Sequence, residues 1–202
     1  YRIPSDKNQP DKKFAPLQDA QRAIQLVREH AKKWKVDPNK VGIVGFSAGG
    51  HLASSLAVHY SDPKIKVNQK VSLRPDFQIL GYPVISFSKF SHVGSRKNLL
   101  GKDSTESMMD YFSNELHVDA NTPMAFIVHA KDDKVVPVEN SLLYADALKS
   151  NGVEASLFIY EKGGHGFGMT NKTSSESGCR KIKLLISFFA ELHRIDPNSC
   201  NY

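Results

Sequence analysis

Apolar positions along this chain follow a helical period and a strand-like run in turn. From Leu17 to Trp34 they recur as Ala20, Ala23, Ile24, Val27, Ala31 and Trp34, which predicts one long amphipathic helix. The turn Val36-Asp-Pro-Asn-Lys40 ends it. Val41-Gly-Ile-Val44 then reads as a strand and His51–Val58 as a helix, closed by Asp62-Pro63. Phe77–Tyr82 is a buried-type strand stopped by Pro83, Met124–His129 another, Val138–Ser150 a helix stopped by Asn151-Gly152, and Ala155–Tyr160 a further strand. A final helix is expected from about Cys179 to Arg194. Residues 84–120 are mixed. Asn98-Leu-Leu-Gly101 reads as one helical turn and Thr105–Glu115 as a short helix, and the stretch reads as an insertion over the top of the sheet, a lid or substrate wall. Tyr1-Arg-Ile-Pro4 looks like the end of a strand, and Ser5–Lys13 is a polar loop. Strands alternating with helices predict an α/β fold in one domain, 1–202, with a mainly parallel sheet and helices on both faces.

The chemistry concentrates where the first strand meets its helix. Gly45-Phe-Ser-Ala-Gly49 is a G-x-S-x-G sequence between them, the setting of a nucleophile elbow. So tight a turn needs almost no side chain around the serine, a demand placed on Gly45 and Gly49, with Ala48 directly behind Ser47. Ser47 would stand proud of the sheet at a helix N-terminus whose unpaired N–H groups favour negative charge. A bare G-x-S-x-G arises by chance in roughly 5–10% of chains this long, so the motif needs partners.

Two loops supply them. After the Met124–His129 strand comes Ala130-Lys-Asp-Asp-Lys-Val-Val-Pro137. An acid just past a strand's carboxyl end is where a histidine-orienting carboxylate belongs. Asp133 is favoured, as the acid of Asp-x-Val-Val-Pro, while Asp132 remains an alternative or a cap on the turn. After the Ala155–Tyr160 strand comes Glu161-Lys-Gly-Gly-His-Gly-Phe-Gly168, where glycines around His165 allow close approach and unusual dihedrals. His51 and His129 read as structural. The order Ser47, Asp133, His165 is that of the α/β-hydrolases.

Bulk properties narrow the field. The chain has 202 residues, a formal net charge of +6 and two cysteines. The lysines are scattered and not interleaved with aromatics, so nucleic acid is not an expected partner. No apolar run is long enough to span a membrane, so no membrane partner is expected. No H-E-x-x-H or paired Cys/His spacing points to a metal, and no G-x-G-x-x-G to a dinucleotide. A Cys179–Cys200 disulfide is disfavoured, because about 25 Å of helix would separate them.

With these motifs in hand, the sequence resembles α/β-hydrolase esterases of the acetylxylan-esterase-like, xylanase-associated type. The matching stretches are Pro16–Arg22, Val41–Ala53, Arg74-Pro-Asp-Phe77, Tyr82-Pro-Val84, Asn98–Gly101, Thr122-Pro123, His129–Pro137 and Gly163–Gly168. The resemblance implies Ser47 as nucleophile, Asp133 as acid, His165 as base and the Ala48 N–H as one oxyanion donor. It also implies a small acyl ester or acetylated polysaccharide as substrate, no cofactor, and an exported, secreted or periplasmic setting. Such hydrolases carry an early glycine-rich oxyanion segment that this chain does not show. The expectation is therefore a member lacking its N-terminal strands, with an exposed sheet edge able to pair into a homo-oligomer. The rival readings are a general small-acyl carboxylesterase and a non-catalytic domain that binds a partner or glycan.

Overall fold

Pro16 falls in the first turn of α1 (Ala15–Glu29), where its missing N–H has no helical acceptor to lose. This helix opens a computed structural model that describes residues 12–68 and 71–167. The chain divides into two units, residues 1–165 and 166–202, and the fold below is that of the first. The single helix expected from Leu17 to Trp34 is broken at His30, which takes φ −105° and ψ 11°, and resumes as α2 (Ala31–Trp34). Two local contacts favour the break. His30 Nδ1 donates to the Leu26 carbonyl at 3.0 Å, and its ring stacks on Trp34. Lys35, at φ 56°, then stops the helix.

The remaining elements are β1 (Ile43–Phe46), α3 (Ala48–Val58), β2 (Phe77–Gly81), α4 (Val93–Leu100), α5 (Glu106–Tyr111), β3 (Met124–Ala130), α6 (Glu139–Ser150) and β4 (Ala155–Tyr160). Four of these depart from expectation by two residues or more, while the ends of β2 and β3 and the start of α6 differ by one. β1 starts two residues later than expected and takes in Gly45 and Phe46, so the motif's own residues complete the strand. α3 starts three residues earlier than expected, directly after Ser47. Asn98–Leu100 is the end of a two-turn helix that His92 caps by accepting from Ser95 N–H. The helix begun at Thr105 stops at Tyr111, and a 3-10 turn follows at Asn114–His117.

All four strands are parallel, in the order β1-β2-β3-β4. Gly45 pairs with Leu80, Leu80 with Ile127, and Ile127 with Leu157. Crossovers between consecutive parallel neighbours are right-handed as a rule, and a shared hand puts the connecting helices on one face. There Ile43, Leu80, Ala125, Ile127, Ala155 and Leu157 pack against Ala53 and Val58 of α3 and Tyr144, Ala145 and Leu148 of α6. Leu17, Ala20 and Ile24 of α1 cover α3 at Leu56. The inward polar pair Gln78 and Tyr144 is satisfied, with Tyr144 OH donating to Gln78 Oε1 and Gln78 Nε2 donating to the Pro123 carbonyl. The described sheet-packing helices lie on this one face. The final helix expected at Cys179–Arg194, both cysteines, Tyr1–Pro4 and most of the Ser5–Lys13 loop lie outside the described residues.

Two anchors fix the frame on which the elbow stands. Arg28 at the end of α1 donates to the carbonyls of Pro38, Ser72 and Arg74 and to Asp76, whose same oxygen accepts the Val41 N–H that precedes β1. Residues 84–118 are fastened by two asparagines with both ends of the amide in use. Asn140 accepts from Ile85 N–H and Ser86 N–H and donates to the Phe90 and Pro137 carbonyls. Asn114 accepts from Ser55 and donates to Ser54 and the His51 carbonyl. Val84, Phe87, Leu100, Phe112 and Val136 form a small core of their own beneath this segment. Among the described residues no helix is long and apolar enough to cross a membrane.

Candidate active site

The strand–helix junction forces Ser47 into a rare backbone conformation. It sits between β1 and α3 at φ 53° and ψ −122°, a region costly for a residue with a Cβ. Three hydrogen bonds hold it there. Its N–H donates to the Gly81 carbonyl, and its own carbonyl accepts from Val84 N–H and His51 N–H. Ala48 is the first residue of α3, so its N–H has no intrahelical acceptor.

The crowding at this turn falls partly on residues other than those expected. A Cβ at Gly45 would run into backbone, the Gly49 carbonyl above all, with Gly50 N at 2.8 Å. A Cβ at Gly49 would meet no described atom within 4 Å. The second crowded glycine is Gly50, where a Cβ would come within 2.9 Å of Pro83 Cα. The motif's second glycine is therefore free of the steric demand placed on it, because α3 turns its Cβ direction outward while Gly50 faces the chain leaving β2.

From Ser47 a line of hydrogen bonds runs to the β3 and β4 loops. Ser47 Oγ lies 2.8 Å from His165 Nε2, and His165 Nδ1 lies 2.7 Å from Asp133 Oδ2. An ionised carboxylate can only accept, so Nδ1 carries the hydrogen, and in the neutral ring Nε2 is bare and accepts from the Ser47 hydroxyl. Asp133 has no exposed side-chain surface. Burial pushes its carboxyl up, but donation from His165, Val136 N–H and Val135 N–H outweighs burial and holds it below the usual range. The two backbone bonds, both 2.9 Å, fix Oδ1. The edge of the Tyr82 ring backs the His165 ring at 4.9 Å between centroids.

Asp132 and Asp133, alternatives in the sequence, have separate tasks. Asp132 Oδ1 accepts from Gly163 N–H and Gly164 N–H at 2.8 Å each, gripping the loop that carries His165. Gly164 meets this with φ 58°, which its lack of a Cβ permits. An uncharged serine, a bare imidazole nitrogen and a buried carboxylate in this order can generate a nucleophile and hold the proton taken from it.

The family model for BD-FAE matches residues 1–148. The chain belongs to the BD-FAE family. Among curated relatives it is similar to endo-1,4-beta-xylanase B of Butyrivibrio fibrisolvens, 42% identical over 158 residues, covering 77% of this chain and 25% of that protein. It is also similar to the acetylxylan esterase of Xylanibacter ruminicola, 40% identical over 173 residues, covering 83% of this chain and 33% of that protein. This BD-FAE chain thus spans about a quarter to a third of the curated relatives it matches. Among solved structures it resembles an acetyl ester-xyloside bifunctional hydrolase from Caldicellulosiruptor lactoaceticus, with a TM-score of 0.79 and 45% identity over 89% of this chain and 69% of that one. The fold of the BD-FAE chain is accordingly that of the α/β-hydrolases.

Some features of this BD-FAE site were not read from the sequence. His129, taken as structural, has its Nε2 3.3 Å from Asp133 Oδ2. His51, expected to pack locally, does so: its ring stacks on Phe87 and its Nε2 donates to the Phe112 carbonyl. Burial holds both histidines below the ordinary imidazole range. The signal for His129 was its place at a strand end four residues before Asp133, a spacing whose meaning depends on how the intervening turn folds.

Proposed function

We propose that this chain carries a serine carboxylic-ester hydrolase that acts on acetyl esters of carbohydrate, of the xylan type. In this reading His165 Nε2 takes the Ser47 proton as Oγ attacks the ester carbonyl. The new C–O bond makes a tetrahedral oxyanion, which the Ala48 N–H at the head of α3 stabilises. His165 then gives the proton to the departing sugar oxygen, leaving an acetyl ester on Ser47. Water enters, gives a proton to His165 and adds to that ester's carbonyl; the Ser47 Oγ–C bond then breaks, releasing acetic acid, which ionises to acetate, while His165 returns the proton to Oγ. Asp133 fixes the ring with Nδ1 protonated and offsets the charge of the imidazolium.

The observation that carries the reading is the unbroken line from Ser47 Oγ through His165 to a fully buried Asp133. Support for the acetyl and xylan part comes from relatives whose names state acetylxylan and acetyl ester-xyloside hydrolysis. The segment from Val84, whose N–H holds the Ser47 carbonyl, serves as a fixed wall beside the site, since Asn114 and Asn140 tie it down. The test is acetate release from acetylated xylo-oligosaccharide compared with an acetate ester of a cyclic alcohol of matched leaving-group basicity. The reading expects kcat/KM at least tenfold higher on the oligosaccharide. Equal values would leave a general small-acyl carboxylesterase, and no acetate from either would leave a binding domain.

A further inference from the structure

The hydrogen-bonded line does not end at Asp133. His129 sits at the carboxyl end of β3 with no exposed side-chain surface. Its Nε2 is 3.0 Å from the Val136 carbonyl and 3.3 Å from Asp133 Oδ2. Both are acceptors, so Nε2 carries the hydrogen. The opposite nitrogen, Nδ1, is 2.7 Å from Ser141 Oγ on α6, and in the neutral ring it accepts that hydroxyl's hydrogen. One ring therefore connects three things: α6, the Val136 end of the aspartate turn, and the very oxygen of Asp133 that receives His165 Nδ1–H.

We infer that His129 is a positioning residue for the acid, holding Asp133 and its turn in register with His165 through its Nε2–H while Ser141 fixes its own ring. The inference rests on the assignment of Ser47, His165 and Asp133 proposed above. The turn from Ala130 to Val136 is short, and among the described residues Asp133 Oδ1 is held by N–H groups of that same turn. The first half of the turn is tied to the end of β4 and its loop, by Lys131 N–H on the Tyr160 carbonyl and by Asp132 on Gly163 and Gly164, which leaves its far end to be fixed. His129 fixes it at Val136, the residue whose N–H holds Oδ1 and whose carbonyl meets Nε2. A neutral ring also suits the task. It offers a donor edge to Oδ2 without a positive charge that would compete with the His165 imidazolium for the carboxylate.

The test compares four variants of the chain on 4-nitrophenyl acetate. His129→Asn keeps a polar atom near the Nδ1 position and loses the Nε2 donor. His129→Gln places an amide N–H near Nε2. Ser141→Ala releases the ring with no change at the site itself, and is small enough to be tolerated by the fold. Ser47→Ala is the control. We expect His129→Asn to lower kcat about 10- to 100-fold with KM within about twofold, since a misplacement of about 1 Å costs on the order of 10²-fold. His129→Gln should recover most of the loss, and Ser141→Ala should lower kcat several-fold at unchanged KM. Parental kcat in Ser141→Ala, or equal losses in folded His129→Asn and His129→Gln, would overturn the inference. Activity surviving in Ser47→Ala would instead overturn the assignment beneath it.

Discussion

Replacing Gly45 by alanine adds one methyl group where the structure has room for none. That methyl would lie 2.8 Å from Gly50 N and 2.6 Å from the Gly49 carbonyl carbon, closer still to its oxygen. Ordinary carbon contacts run at about 3.5–4 Å, so the overlap is near 1 Å. The obstructing atoms are backbone at the first turn of α3 and cannot rotate away. Relief requires β1 and α3 to part, and Ser47 is the residue that joins them. Overpacking of this kind costs about 1–3 kcal/mol of stability. The larger effect falls on geometry: a shift of about 1 Å in Ser47 Oγ relative to His165 would slow reaction on the order of 10²-fold. Gly49→Ala is the matched control, because its methyl enters open space and a glycine inside a helix gives way to alanine with a gain of roughly 0.5–1 kcal/mol. Thermal melts and the rate of inactivation by a fluorophosphonate read both effects. Parental inactivation in Gly45→Ala together with a slow Gly49→Ala would refute the reasoning.

Other outcomes follow from the same contacts. His51 and His59 are buried and neutral, each lowered by burial from 6.5 to about 4, with His117 adding to the effect at His59. Unfolded histidine binds a proton below about pH 6.5 and these native rings do not, so stability should be full above that and fall toward pH 4, by roughly 2 kcal/mol per ring at about pH 5. Denaturant midpoints flat from about pH 7 to 5 would contradict this. Asp132→Ala frees the Gly163–Gly164 loop, and losing two solvent-exposed bonds of about 0.5–1 kcal/mol each should lower kcat about five- to tenfold and the melting temperature by about 2–8 °C. Arg28→Ala strips the anchor before β1 and leaves Asp76 without its guanidinium. It should cost about 2–4 kcal/mol in urea unfolding, and a loss below about 1 kcal/mol would argue against that anchor.

The parts legible in the sequence were those with a local signature. Ala155–Tyr160 is a strand with the bounds its apolar run implies, and Ser47, Asp133 and His165 each follow a strand and precede or occupy a turn. What the sequence could not settle depended on directions in space. Asp132 and Asp133 are adjacent and identical in type, and only the path of the turn decides which meets the imidazole and which grips Gly163 and Gly164. The crowding expected of Gly49 falls on Gly50 for the same reason, since it depends on where Pro83 passes. The helix break at His30 is invisible to hydrophobic periodicity, because apolar spacing continues through Ala31 and Trp34 while the backbone kinks just before Ala31. His129 looked like any buried strand-end histidine until the Ser141 hydroxyl and the Val136 carbonyl defined its two nitrogens.

The proposed chemistry stands on Ser47 being the nucleophile of an assembled site. The most direct test is reaction of the chain with a fluorophosphonate, with the adduct located by peptide mass spectrometry in parent, His165→Ala and Asp133→Ala. One phosphonyl group per chain is expected, on Ser47, formed at least about 10²-fold more slowly in His165→Ala and markedly more slowly in Asp133→Ala. A folded parent that forms no adduct, or one whose adduct sits on another residue and is indifferent to His165, would contradict that assignment.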